Sequence, residues 1–130
     1  MANQSIVLCD TNILIEFYKN NSSVISDLKE IGQLNIAISI VTAGELLYGA
    51  FNKQELNQIL KDIAHLKLLH LNQDIGNIQL QLMADFSLSH NLNLPDAMIA
   101  ATAIYYNYPI FTLNKKDFHY IPGIRLYSRT

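Results

Sequence analysis

The sequence predicts a three-layer α/β/α sandwich around a mainly parallel central sheet. Three observations carry that prediction. Short apolar runs rich in β-formers recur along the chain, each followed by a stretch whose apolar residues are spaced as on a helix. Strands that alternate with helices imply parallel pairing through right-handed crossovers. At 130 residues, half of them apolar and 15% charged, the chain can bury one core and is too apolar for disorder. A single domain over residues 1–130 is expected, without internal repeat, linker or low-complexity stretch.

Ser5 to Cys9 reads as a buried first strand that ends at Asp10. Thr11 to Asn20 pairs Ile13 with Phe17 and Leu14 with Tyr18 at helical spacing. Ser23 to Ile31 forms a second helix, closed by Gly32. Ile36 to Ser39 is the second strand, and a helix runs from Ala43 to Phe51. Glu55 to Leu69 is amphipathic through Leu56, Ile59, Leu60, Ile63 and Leu66. Its end overlaps Leu68 to Leu71, which also suits a third strand; periodicity does not separate the two. Asp74 to His90 is helical through Ile75, Ile78, Leu82 and Phe86. Pro95 opens the next helix in its first turn, where a missing N–H costs nothing. Ala97 to Tyr106 is apolar on most sides and belongs deep in the core. Ile110 to Leu113 is a strand after Pro109, and Ile124 to Tyr127 suits a last one at an edge.

Met1 to Ser5 carry neither a basic patch nor an apolar run, so no secretory signal is expected. The glycosylation sequons at Asn3, Asn20 and Asn21 then carry no meaning. The longest mostly apolar stretch, Ala97 to Tyr106, is far short of the roughly 20 residues of a membrane span. Cys9, alone in the sequence, cannot make an internal disulfide. A cytoplasmic protein without membrane attachment is expected.

In an open parallel sheet, ligands bind beyond the carboxyl ends of the strands. Asp10 follows the first strand directly, and Glu45 lies on the helix entered from the second. Asp117 lies in the loop that leaves a later strand, and Asp96 opens the helix leading into that strand. The other acids, Glu16, Asp27, Glu30, Glu55, Asp62, Asp74 and Asp85, sit in or beside amphipathic helices, where solvated faces explain them. Nine Lys and Arg face eleven Asp and Glu; without the four candidate acids the balance becomes nine to seven. The net charge of −2 therefore neither supports nor excludes a nucleic-acid partner.

Two carboxylates about 5 Å apart, at an effective dielectric of about 20, repel by about 3 kcal/mol. Four together want raised pKa values or bound cations. Acid ligands without Cys or His favour Mg²⁺ or Mn²⁺ over zinc. Each acid also has an ordinary structural reading. Asp10 suits a helix N-cap, and Thr42-Ala43-Gly44-Glu45 has capping-box spacing. Asp96, at the second position of a Pro95-initiated helix, suits the helix dipole, and Asp117 a turn. The joint placement of the four is what points to chemistry.

That placement resembles the successive motifs of PIN domains. They are Asp10-Thr11-Asn12, Thr42-Ala43-Gly44-Glu45-Leu46, Leu94-Pro95-Asp96-Ala97-Met98-Ile99-Ala100-Ala101, and Thr112-Leu113-Asn114-Lys115-Lys116-Asp117-Phe118. The last two are especially like the VapC-type toxins of bacterial toxin–antitoxin pairs. The resemblance implies a metal-dependent endoribonuclease with Asp10, Glu45, Asp96 and Asp117 as catalytic and metal-holding acids, Asp10 and Asp96 foremost. It implies Asn12 as a hydrogen-bonding support and a Thr112 hydroxyl that faces the site. Asn114 stands where PIN domains can carry an acid, which leaves its contact with metal open. Mg²⁺ or Mn²⁺, an RNA substrate, a cognate antitoxin and a homodimer are further implications.

Other features carry less. Lys115 and Lys116 suit phosphate contacts or solvated loop lysines equally. His65, His70, His90 and His119 form no ligand spacing, and Cys9 reads as core. Tyr105, Tyr106 and Tyr108 read as core and helix end rather than a base-stacking platform. A receiver-type phosphoacceptor module would use Asp10, Thr112 and Lys115, but needs an acid near Leu71, where Asn72 stands. A haloacid-dehalogenase-like phosphatase wants an aspartate where Asn12 stands. A catalytically silent PIN-like scaffold conflicts with four intact acids.

Overall fold

The computed structural model describes residues 5–128, so the Asn3 sequon lies outside the described residues. Four strands, β1 (Val7–Cys9), β2 (Ile36–Ser39), β3 (Lys67–Leu69) and β4 (Ile110–Phe111), form an all-parallel sheet in the order β3-β2-β1-β4. Six helices complete the fold: α1 (Thr11–Tyr18), α2 (Ser22–Ile31), α3 (Ile40–Tyr48), α4 (Lys53–Ala64), α5 (Gln73–His90) and α6 (Leu94–Tyr106). The expected three-layer α/β/α sandwich is the fold found.

Strand alternation divides the core. Val7, Cys9, Ile36 and Ile38 pack with Ile13, Leu14, Val24, Leu28, Leu46 and Ile59, from α1 to α4. Leu8, Ala37 and Ile110 point the other way, onto Ile75, Leu82, Ile99 and the alanines of α6. Those alanines, Ala97, Ala100, Ala101 and Ala103, are buried and small enough for close helix approach. No helix among the described residues is long and apolar enough to cross a membrane.

Several boundaries differ from expectation, each for a local reason. Helix α3 begins at Ile40, not Ala43, because Ser39 at the strand's end is also the cap: its Oγ accepts from Thr42 N at 3.1 Å. Thr42 is thus inside the helix and buried, and the capping-box reading of Thr42 and Glu45 fails. Helix α4 stops at Ala64, and Lys67–Leu69 pairs with β2, so the ambiguous stretch is strand, though shorter than Leu68 to Leu71 and shifted. Helix α6 begins one residue before Pro95, and Asn93 Oδ1 accepts from Asp96 N at 2.9 Å. Asp96 is therefore the third helical residue rather than the second. Ile124 to Tyr127 contributes a single parallel bridge, Ile110 with Leu126, at the β4 edge.

The sheet order makes β1 the turning point. From β1 the chain builds outward through β2 and β3, then crosses back to place β4 on the other side of β1. In an open α/β sheet the crevice at such a reversal is where ligands bind. Asp10 and Thr112 are the first residues beyond β1 and β4.

Candidate active site

Asp10 is 7% exposed, and both of its oxygens are held. Oδ1 accepts from Thr11 N at 2.8 Å, which caps α1, and Oδ2 accepts from Thr112 Oγ1 at 2.9 Å. The cap reading of Asp10 is correct and compatible with a site role, since the N-terminus of α1 favours a negative charge. Burial nonetheless pushes the carboxyl up; the Thr112 and Thr11 hydrogen bonds oppose this, and the charges of Glu45 and Asp117 add to it.

Thr112 is itself buried, and its hydroxyl is fully used. It donates to Asp10 and accepts from Asn114 N at 3.0 Å and Asn12 Nδ2 at 3.4 Å. Asn12 Oδ1 accepts from Leu113 N at 3.4 Å, so Asn12 latches α1 to the segment that leaves β4. Asn114 meets this cluster through its backbone N–H.

Glu45 is exposed, in the middle of α3. Its Oε1 accepts from Thr11 Oγ1 at 2.7 Å, and the Thr11 and Thr42 hydroxyls are 2.9 Å apart. Thr11 has one hydroxyl proton and gives it to Glu45, so Thr42 must donate to Thr11. Ser39 Oγ in turn donates to Thr42 at 3.5 Å. A line of hydroxyl donors thus runs from the end of β2 to Glu45, each bond polarising the next. Neither Thr11 nor Ser39 was anticipated. The only sequence signal for Thr11 is its place between Asp10 and Asn12.

Asp96 is half-buried at the start of α6. Burial, and then the charges of Asp10, Asp117 and Glu45, push its carboxyl up to about 6, against the Asn93 hydrogen bond. Asp117 follows Lys115 and Lys116 in a short 3₁₀ turn and is half-buried; both lysines are exposed. The structure therefore sets Asp10 in the field of Glu45 and Asp117, and Asp96 in the field of all three. It does not draw them into contact: among the described residues no three Asp, Glu, His or Cys side chains converge as a ready-made metal cage. A small hard cation does not need such a cage, because Mg²⁺ takes one or two carboxylates directly and keeps several waters. The all-oxygen donor set fits Mg²⁺ or Mn²⁺.

Cys9 and Asn72 serve the fold. Cys9 is fully buried, and burial and the Asp10 charge push its thiol far up, which removes the thiolate. Asn72, where a receiver module needs an acid, caps α5 by accepting from Ile75 N at 2.8 Å.

Comparison with known proteins finds relatives in both sequence and fold. The profile of the PIN domain matches residues 7–124. Ribonuclease VapC1 of Methanocaldococcus jannaschii is 34% identical over 97% of this chain and 90% of its own length. Among solved structures, a toxin-antitoxin complex from Klebsiella pneumoniae contains a similar chain at TM-score 0.78 and 31% identity, covering 91% of this chain and 94% of that one. DNA-bound VapBC from Salmonella typhimurium matches at TM-score 0.80 and 26% identity, covering 95% and 97%.

Proposed function

The chain belongs to the PIN-domain family, and on that premise we propose that it is an Mg²⁺- or Mn²⁺-dependent endoribonuclease, the toxin of a toxin–antitoxin pair. The observation that carries the proposal is that Asp10, the first residue past β1 at the reversal of the sheet, lies in the field of Glu45 and Asp117, and Asp96 in the field of all three. Asp10 and Asp96 would hold the cation, with Glu45 and Asp117 beside them. When bound, the metal supplies charge compensation and Lewis-acid polarisation of phosphate oxygens.

The chain's own residues prepare that site. The Thr112 hydroxyl and Thr11 N–H fix the direction in which the Asp10 carboxylate faces. The Thr11 hydroxyl ties the exposed Glu45 carboxylate to the residue beside Asp10. Lys115, exposed two residues before Asp117, contacts the substrate phosphates as a mobile cation.

A protein partner has a surface to use. Ile15, Tyr18, Leu46, Phe51 and Ile59 line a groove between α1, α3 and α4 that reaches Glu45, and Phe51 is 91% exposed. An amphipathic antitoxin segment would lay its apolar face there. A basic side chain from it would pair with the acids and compete with the cation. The homodimer rests on the family likeness alone.

The test is direct. Purified protein incubated with RNA should cut it in Mg²⁺ or Mn²⁺ and stop in EDTA. Expressed alone it should arrest bacterial growth; expressed with the small protein encoded beside it, growth should return and the two should co-purify. Undiminished cleavage in EDTA contradicts the metal mechanism, and harmless high-level soluble expression contradicts the toxin.

A further inference from the structure

An aromatic stack joins the two stretches of chain that carry Asp96 and Asp117. The His90 and Tyr120 rings lie 3.9 Å apart and nearly parallel, at 13°. Phe86 stands edge-on to both, at 5.6 Å from His90 and 5.1 Å from Tyr120. The stack joins two stretches that each lead to a site acid. His90 ends α5, six residues before Asp96, and Tyr120 follows Asp117 by three.

Both arms are firmly tied. Leu92 is buried and its N–H reaches back to Phe86 O at 3.4 Å. Phe118 is fully buried, His119 N donates to Lys115 O at 2.9 Å, and Ile121 N donates to Phe118 O at 3.0 Å. The Tyr120 hydroxyl is pushed up by burial first, and then by the negative charges of Asp96 and Asp117. His90 is exposed, whereas Tyr120 and Phe86 are half-buried and rest on the core with part of their surface still open.

We propose that the His90–Tyr120 stack is the platform on which one nucleobase of the RNA lies while the adjoining phosphate occupies the acid site. This rests on the ribonuclease reading and adds to it the group that positions a base. Single-stranded RNA is held by stacking of splayed bases on aromatic faces, a contact that tolerates any base. The imidazole and phenol edges add hydrogen-bonding groups that can favour one base over another. His90 Nδ1, 2.8 Å from Ser89 Oγ, already has a partner, which leaves Nε2 for the base.

The test is a cycle between ring and base. The wild type's cleavage position is first mapped on total RNA; ribo-oligonucleotides bearing it are then made with a single abasic ribose at each flanking position. On the intact oligonucleotide, Tyr120→Leu and His90→Leu should lower kcat/KM by about tenfold, mainly through KM, and Tyr120→Phe should not. On one abasic oligonucleotide the penalty should vanish, because the base that stacked is gone. An equal penalty on every oligonucleotide makes the stack a clamp for Asp96 and Asp117 only and overturns the proposal. So does no penalty at all. A second arm leaves the rings unchanged: cleavage-deficient Asp96→Asn is irradiated with oligonucleotides carrying 5-iodouridine at each position in turn. Crosslinks to Tyr120 or His90 support the platform, and crosslinks confined elsewhere overturn it. A wild type that cuts no intact RNA in Mg²⁺ overturns the ribonuclease reading itself.

Discussion

Thr112 Oγ1 donates to Asp10 Oδ2 at 2.9 Å, across 102 positions of sequence. The contact exists because the sheet order sets β4 beside β1, so the first residues past each strand meet. It is the point where the topology of the fold becomes the geometry of a site. A buried carboxylate needs such donors, since desolvation alone would drive it to its neutral form.

Thr112→Val keeps the shape and removes that donor. Hydrogen bonds to charged groups contribute about 1.5–3 kcal/mol, so urea unfolding without divalent cation should lose about that much. Thr112→Ser should restore most of it. A loss under about 0.5 kcal/mol in the valine variant would mean that Asp10 is held by the α1 cap alone.

Thr11→Val cuts the hydroxyl line to Glu45 while leaving the backbone N–H on Asp10. The Glu45 bond is exposed, but the valine also leaves the buried Thr42 hydroxyl without its acceptor, so stability should fall by about 1–3 kcal/mol. Supporting contacts of this kind are worth about 10- to 100-fold in metal affinity or activity, and RNA cleavage should fall by a factor in that range. Thr11→Ser should behave as wild type. Full activity in the valine variant would show that Glu45 needs no orientation.

Asp96 makes stability depend on pH with a definite sign. Its folded pKa, about 6, lies above the ordinary 3.8, so between these values the folded state binds more protons than the unfolded. The stability of the metal-free protein therefore falls as pH rises through that window. Relative to Asp96→Asn, which has no proton to lose, the wild-type Tm should drop progressively from pH 4 to pH 7, and Mg²⁺ should recover it only in the wild type. A constant difference between the two melting curves would remove the repulsion argument.

Lys115 and Lys116 are exposed beside Asp117. If they meet phosphates, replacing both with alanine weakens RNA binding without regard to sequence. The slope of log Kd against log salt should shrink by about 0.7 per lost contact on single strands. An unchanged slope makes them ordinary loop lysines.

The sequence made the fold class and the four-acid grouping legible because both are local: strand runs ending in acids, and short motifs in order. What it hid depends on contacts between distant elements. Thr42 looked like a cap because its spacing to Glu45 is that of a capping box, yet Ser39, still in the strand, does the capping. The Thr11–Thr42–Glu45 line spans 34 positions and needs α1 packed on α3 before it exists. Lys67–Leu69 was masked by the apolar periodicity of the helix before it, and only pairing with β2 identifies it as strand. The His90–Tyr120 stack joins the last residue of α5 to the turn after Phe118, two places that no spacing rule connects.

The central claim is that Asp10, Glu45, Asp96 and Asp117 act together as one metal-dependent ribonuclease site. The most direct measurement is single-turnover cleavage of one RNA in Mg²⁺ by Asp10→Asn, Glu45→Gln, Asp96→Asn and Asp117→Asn, each checked for wild-type circular dichroism. All four should be folded and slowed by about a hundredfold or more, and combining two should cost far less than the product of the single losses, because groups acting as a unit are not additive. Folded variants of Asp10 or Asp96 that cut RNA at the wild-type rate would contradict the account.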